Sequence, residues 1–440
     1  MSSECNSLPV DIWKIIYEFC DFLSKIRLRY INKFFSLNLQ IMDFCNIDDK
    51  YLYKLKNHII KNHKFIKSLD VSVNTINEAN FEDLEELKIK KNNYFCTKFI
   101  NMPESKYYEK IYLEKINLKK LNLAGNSVIN DVSWLTNLSE LVANDSILKQ
   151  TGIHYLNLTK LEVSRNKFIK DVSWMKNLKE LNASGWDCAI DQNGINGLNL
   201  YKLDVSQNSK IYDIKWMSNL KILYANSNDC GIDQNTIMGL NLYVLSAKEN
   251  SGIKYLNWMK SLKKLDCSSF CGINQDGING LNLIELNASN NIHIVNVNFM
   301  NNLKKLYING NSGVDQNGID GLNLIELEAI DNIKIINISW MVNLEILYAN
   351  GKCGIGQKGI EGLNLLILNA TDNPNIVNVN FMFKLQSLSA KYYSGIDQNG
   401  INRLNLIKLN ITGNNKITNW SFMTNLKQIK NYVQADELFC

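Results

Sequence analysis

No stretch of about 18 uncharged apolar residues occurs, so a membrane-spanning helix is not expected. Residues Met1 to Pro9 lack a basic stretch followed by an apolar one, so a secretory signal peptide is not expected either. Histidine is scarce, at four residues. Only His58 and His63 lie close, and five residues apart they do not share a helical face. A His-Glu-x-x-His zinc site, a GxxxxGK phosphate loop and a GxGxxG dinucleotide loop are all missing. No Ser, His and acidic set stands out. The sequence therefore predicts no catalytic residue, no resident metal and no cofactor. No CxxC pair occurs among the ten cysteines. Without secretion these are expected to be reduced thiols, not a disulfide framework.

What is present is a folded, nearly neutral chain. Hydrophobic residues make up 45% of 440, and the net charge is +5. Residues 1–120 hold 20 basic and 16 acidic side chains, and the other 320 hold 28 and 27. So even a balance argues against a phosphate-backbone partner, which needs clustered Lys and Arg. Asparagine is the abnormal residue, at 66 copies. Much of it is periodic.

The period shows first in an aromatic column: Trp134, Trp174, Trp216, Trp258, Phe299, Trp340, Phe381 and Phe422, spaced 40 to 42 apart. Each long unit contains two short ones, marked by leucines. Fourteen steps lead from Leu121 to Leu409, a mean of about 20.6 residues. Ile429 follows 20 residues later and is expected to mark a terminal unit. The local pattern is LxxLxLxxN, as in Leu118, Leu121, Leu123 and Asn126, or Leu406, Leu409, Ile411 and Asn414. Residues 118–433 resemble the leucine-rich-repeat family in this spacing.

The same pattern has a physical reading. Leu-x-Leu alternates with period two, which makes a short strand with one face inward. The rest of each unit returns the chain to start a parallel neighbour about 4.8 Å away. One unit cannot bury its own apolar face, so the units must stack. The expected fold class is α/β: a solenoid of about 16 units with a parallel sheet on its concave face, preceded by a small helical segment.

Two unit types alternate. One carries Asn five residues after the key leucine, from Asn126 to Asn414, and predicts a buried asparagine ladder. The other carries a Gly-Ile-Asp-Gln-Asn-Gly-like run, as at residues 395–400. Its oxygen side chains resemble a calcium loop, but one or two carboxylates are too few, and a repeated turn is the expectation. The aromatic column is expected in the core. Cys188, Cys230, Cys271 and Cys353 share a phase and are expected as buried thiols.

Residues flanking each key leucine should point away from the core. These columns vary, as a binding surface tolerates. The candidate target-binding residues are Asp204, Ile222, Tyr224, Asp266, Tyr307, Glu328, Ile346, Tyr348 and Ile367. Exposed Ile and Tyr among them point to a protein target.

Residues 1–48 do not follow the repeat. Pro9 suits a first helical turn, and Ile12, Ile15, Ile16 and Phe19 mark one helical face. Leu8-Pro9, the isoleucine series, Asp21 and the stretch Leu28-Arg29-Tyr30-Ile31-Asn32-Lys33-Phe34-Phe35 resemble an F-box. That resemblance implies docking of a Skp1-like adaptor of a cullin ubiquitin ligase, through Leu8, Pro9, Ile12, Ile16 and Phe19. Residues 49–117 are expected to hold a linker helix and degenerate first repeats, and 434–440 a tail. The sequence-based expectation is thus a non-catalytic receptor. It would recruit a protein target in the cytoplasm (a host's, if viral) or the nucleus, with no nucleic acid or membrane partner and no self-association. The alternative is a stand-alone scaffold whose N-terminal helices only cap the array.

Overall fold

A computed structural model describes residues 118–431 apart from Val128, together with the backbone of three strands nearer the N-terminus. The adaptor-docking expectation at Leu8, Pro9, Ile12, Ile16 and Phe19 lies outside the described residues. The chain divides into two units, Met1–Leu200 and Tyr201–Cys440.

In the first unit, strands Asp43–Phe44, Ser68–Val71 and Glu86–Ile89 lead into Lys120–Asn122, Glu140–Val142, Lys160–Glu162 and Glu180–Asn182. Every pairing is parallel, with Leu121 opposite Leu141 and Leu141 opposite Leu161. The second unit runs from Lys202–Asp204 to Gln428–Lys430 in twelve strands. Here too leucine faces leucine at each step: Leu286 with Leu306, Leu327 with Leu347, and finally Leu409 with Ile429. This in-phase register makes the fold a leucine-rich-repeat solenoid, as the spacing predicts.

From Lys120–Asn122 to Lys408–Asn410 each strand has three residues, and its middle leucine enters the core, with Ser246 the one flanking residue that is buried too. Past the strand, the chain makes tight turns. Asn126, Asn166, Asn208, Asn250, Asn291, Asn332, Asn373 and Asn414 are all buried. The expected ladder is present, and its bonds explain it. Asn291 Nδ2 donates to the carbonyls of Cys267 and Ile273, at 2.9 and 3.0 Å. Its Oδ1 accepts from the His293 N–H at 3.0 Å. One amide thus satisfies backbone groups of its own rung and of the rung before it, where no strand can.

The aromatic column is a correction. Trp216, Trp258 and Phe422 are each 37% exposed, and the other five are half-buried. The buried residue is the next one: Leu135, Met175, Met217, Met259, Met300, Met341, Met382 and Met423. The reason is a local period of three. Met175 N–H bonds to Val172 O and Leu178 N–H to Met175 O, so residues 172, 175 and 178 eclipse one another and turn inward. Residue 174 falls between them.

A second feature is a column of left-handed backbone four residues after each key leucine. It includes Gly125, Gly310, Gly351 and Gly413, but also Asp145, Arg165, Gln207, Glu249, Asp331 and Tyr392. Left-handed backbone costs a non-glycine residue about 1–2 kcal/mol. Gln207 (φ 59°) is exposed. Gln207→Gly is expected to raise stability by about 0.5–1 kcal/mol, the relief exceeding the added unfolded-state freedom. A urea midpoint that falls would contradict this.

Candidate functional site

The outward face of the sheet is built by the two residues that flank each inward leucine. Because adjacent strands lie about 4.8 Å apart, each of these side chains touches its neighbours. Tyr224, Tyr307, Tyr348, Ile222, Ile346 and Ile367 are half-buried on this face, neither in the core nor fully exposed. The expected exposure of the isoleucines is thus reduced by close rungs.

The register gathers some candidates and separates others. Tyr307 is opposite Glu328, and Glu328 opposite Tyr348. Ile346 is opposite Ile367. These five form one patch. Ile222 and Tyr224 lie on a strand that places Tyr224 opposite Asp204, some rungs away. Asp266 is separated from Tyr307 by Asn287.

Charges on the face beside the patch are paired. Lys305 Nζ meets Glu326 Oε2 at 2.7 Å, and Lys264 meets Glu285 at 3.0 Å. The hydrogen bond that Lys305 donates to Glu326 raises the Lys305 pKa above the ordinary lysine value. Tyr307 Oη donates to Glu326 Oε1 at 3.3 Å. Partial burial, then the carboxylates of Glu326, Glu285 and Glu328, push the Tyr307 phenol up, so it stays a neutral donor. Glu328 accepts from Asn309 Nδ2 at 2.9 Å. Lys202 stacks over the Tyr224 ring at 5.7 Å. Asp204 and Asp266 are partly committed to their own turns, each accepting from a backbone N–H two residues on, at 3.0 Å. The patch offers ring faces, aliphatic surface and carboxylates held in fixed places.

The loops behind the strands behave as turns. Asp233 accepts from Thr236 N–H at 2.9 Å, Asp315 from Gly318 N–H at 3.0 Å and Asp397 from Gly400 N–H at 3.0 Å. Each carboxylate caps a short helical turn. In the Gly356 copy, the cap is a backbone carbonyl instead. Among the described residues, no group of three or more His, Cys, Asp or Glu is placed to hold a metal.

The Gln of the same run was not anticipated as an element of structure. Gln275 Oε1 accepts from Val295 and Asn296 N–H, and its Nε2 donates to Asn296 O. Gln234, Gln316, Gln357 and Gln398 repeat this bracket. Their constant spacing of 41 residues was the available signal.

Cys188, Cys271 and Cys353 are buried and Cys230 is half-buried; all four are free thiols. Ser146, Ser312 and Ser394 occupy the same column. Cys188 donates to Val163 O at 3.5 Å, and Ser146 likewise to Ala143 O at 2.8 Å. Burial pushes Cys230 and Cys271 up to about 12 and Cys353 up to about 11. A thiol raised in the folded state binds its proton more tightly there than in the unfolded chain. Its contribution is fully present below about pH 8.5 and is lost as pH rises through 11 to 12. The array is therefore expected to lose stability above about pH 9, and native Cys271 and Cys353 to resist iodoacetamide at pH 8. Rapid labelling without unfolding would contradict their burial.

No family model matches the chain, and no curated protein matches it in sequence. Solved structures similar to it include an internalin of Listeria monocytogenes, 17% identical, covering 73% of this chain and 82% of that one, with a TM-score of 0.29. The yeast Rad7 and Elc1 complex is 17% identical, with coverage of 70% and 85% and a TM-score of 0.37. The mouse RP105/MD-1 complex is 14% identical, with coverage of 79% and 70% and a TM-score of 0.43.

Proposed function

We propose that the chain is a protein-interaction receptor whose outward sheet face holds a protein target. The observation that carries this reading is the patch of Tyr307, Glu328, Tyr348, Ile346 and Ile367, brought onto adjacent rungs by the register. Half-buried tyrosines set beside aliphatic side chains resemble the aromatic centre of an interaction hot spot. The F-box resemblance of residues 8–35 adds the second half. An adaptor of the Skp1 kind would dock on Leu8, Pro9, Ile12, Ile16 and Phe19 and bring a cullin ubiquitin ligase to the target. Function would then be proximity, by raising the local concentration of target lysines. Such complexes form in the cytoplasm or nucleus.

Two variants of the full chain test the halves separately. Tyr307→Ala with Tyr348→Ala is expected to lose the target in a pull-down but keep the adaptor. Pro9→Glu with Ile12→Glu is expected to do the reverse. Recovery of no Skp1 homologue by the intact chain would sink the adaptor half. Circular dichroism of a chain lacking residues 1–45 separates docking from capping: loss of the first rungs would favour the cap.

A further inference from the structure

A row of side chains lies just before the strands of the second unit, outside the sheet-face candidates. Its positions are fixed by the backbone. Tyr201 O accepts from Lys221 and Ile222 N–H, and Lys221 O accepts from Tyr243 and Val244 N–H. Tyr243 O accepts from Lys263 and Lys264 N–H, Lys263 O from Ile284 and Glu285 N–H, and Ile284 O from Lys304 and Lys305 N–H. Ile325 N–H then donates to Lys304 O. The row reads Tyr201, Lys221, Tyr243, Lys263, Ile284, Lys304 and Ile325, one residue per rung. Apolar and cationic residues alternate without a break.

The apolar members are open to solvent: Tyr201 is 48% exposed, Tyr243 44%, and Ile284 and Ile325 37% each. Among the described residues, no carboxylate forms an ion pair with Lys221, Lys263 or Lys304. The ion pairs beside them engage Lys264 and Lys305 instead. Lys221 Nζ donates to a neutral carbonyl, Asn241 O, at 3.1 Å. In the next rung Glu345 takes the cation's place, its N–H bonded to Ile325 O, and this ends the cationic stretch. The near-zero charge of the array therefore conceals a local excess.

The repeat distance specifies what fits. Apolar members recur every second rung, about 9.6 Å. An extended polyproline-type segment advances about 3.1 Å per residue, so three residues cover about 9.3 Å. We propose that this row docks an extended acidic segment of a partner protein, with an apolar residue at every third position and carboxylates between. The four apolar seats span a segment of about ten residues by the same arithmetic. Nucleic acid fits less well, because two of the four seats are isoleucines and cannot offer a ring face for bases to stack on. The proposal is independent of adaptor docking and of the sheet-face patch.

The probe is a labelled peptide of three Leu-Pro-Glu triplets closed by a leucine, titrated against the full chain by fluorescence anisotropy. Its control is a shuffled peptide of the same composition without the period of three. The phased peptide is expected to bind at least tenfold more tightly than the control. Binding should be lost in the triple variant Lys221→Glu, Lys263→Glu, Lys304→Glu and be unchanged in Tyr307→Ala. If circular dichroism shows the triple variant unfolded, Lys263→Gln with Ile284→Ser serves, with an expected loss of at least tenfold. Equal binding of the two peptides, no binding of either, or binding indifferent to these substitutions overturns the proposal. So does a lysine-dependent preference for an oligothymidylate or for phosphatidylserine vesicles over the phased peptide.

Discussion

Asn373→Ala is expected to destabilise the array by about 4 kcal/mol, since each buried polar group left unpaired costs about 1–3 kcal/mol. Three groups lose their partner at once. Asn373 Nδ2 donates to Ala349 O at 2.6 Å and to Ile355 O at 3.0 Å, and Oδ1 accepts from Asn375 N–H at 2.9 Å. The side chain is fully buried, so water cannot substitute without opening the rung. Asn364 provides the contrast. Its Oδ1 also bonds a backbone N–H one rung on, that of Lys384 at 2.9 Å, but at the surface. Asn364→Ala should cost under about 1 kcal/mol, because water replaces the lost acceptor. Urea unfolding of both variants decides the point. Equal shifts would mean that the buried column does not hold the rungs together.

How much of this was legible in the sequence depends on what kind of constraint each column obeys. The leucine and asparagine columns tolerate almost nothing else, and both stood out by identity alone. The aromatic column was equally regular, yet Trp216 and Trp258 sit at the rim. Regularity reports that a position is constrained, not that it is inside. The three-residue turn period that puts Met217 inward is a backbone property without its own letter code. The left-handed column was invisible for a related reason. Glycine fills it at only some rungs, while Arg165 and Tyr392 adopt the same left-handed φ without being glycine. The glutamine brackets were hidden inside a motif whose asparagine and glycine drew attention to turns. Candidate site residues were legible as outward-pointing, because period two is unambiguous. Their grouping was not: which rung lies beside which is given by register, and only that placed Tyr307, Glu328 and Tyr348 together while leaving Asp204 apart.

Two glycines three residues apart separate steric from conformational constraint. At Gly318 a Cβ would lie 2.1 Å from Val295 O and 3.2 Å from Val295 C, both backbone atoms. At Gly321 a Cβ would meet nothing within 4 Å, but φ is +73°. Gly318→Ala therefore needs neighbouring rungs to part, and it strains the bond from Val297 N–H to Gly318 O at 2.9 Å. Its expected cost is about 3 kcal/mol, the upper range for overpacking. The penalty is bounded, since Thr236 fills the equivalent place in an earlier rung, its hydroxyl donating to Tyr212 O at 2.9 Å. Gly321→Ala should cost about 1 kcal/mol, the strain of left-handed backbone alone. The last copy shows that this second constraint can be evaded. Where Arg403 replaces the glycine, the preceding Asn402 has ψ −17° in place of the 128–135° seen at Asn279 and Asp320, and the turn changes type. Urea unfolding should thus rank Gly318→Ala well below Gly321→Ala in stability. The opposite order would mean that rung separation is soft and the turn is stiff, and the close stacking of adjacent loops could then no longer be what sets the pitch of the array.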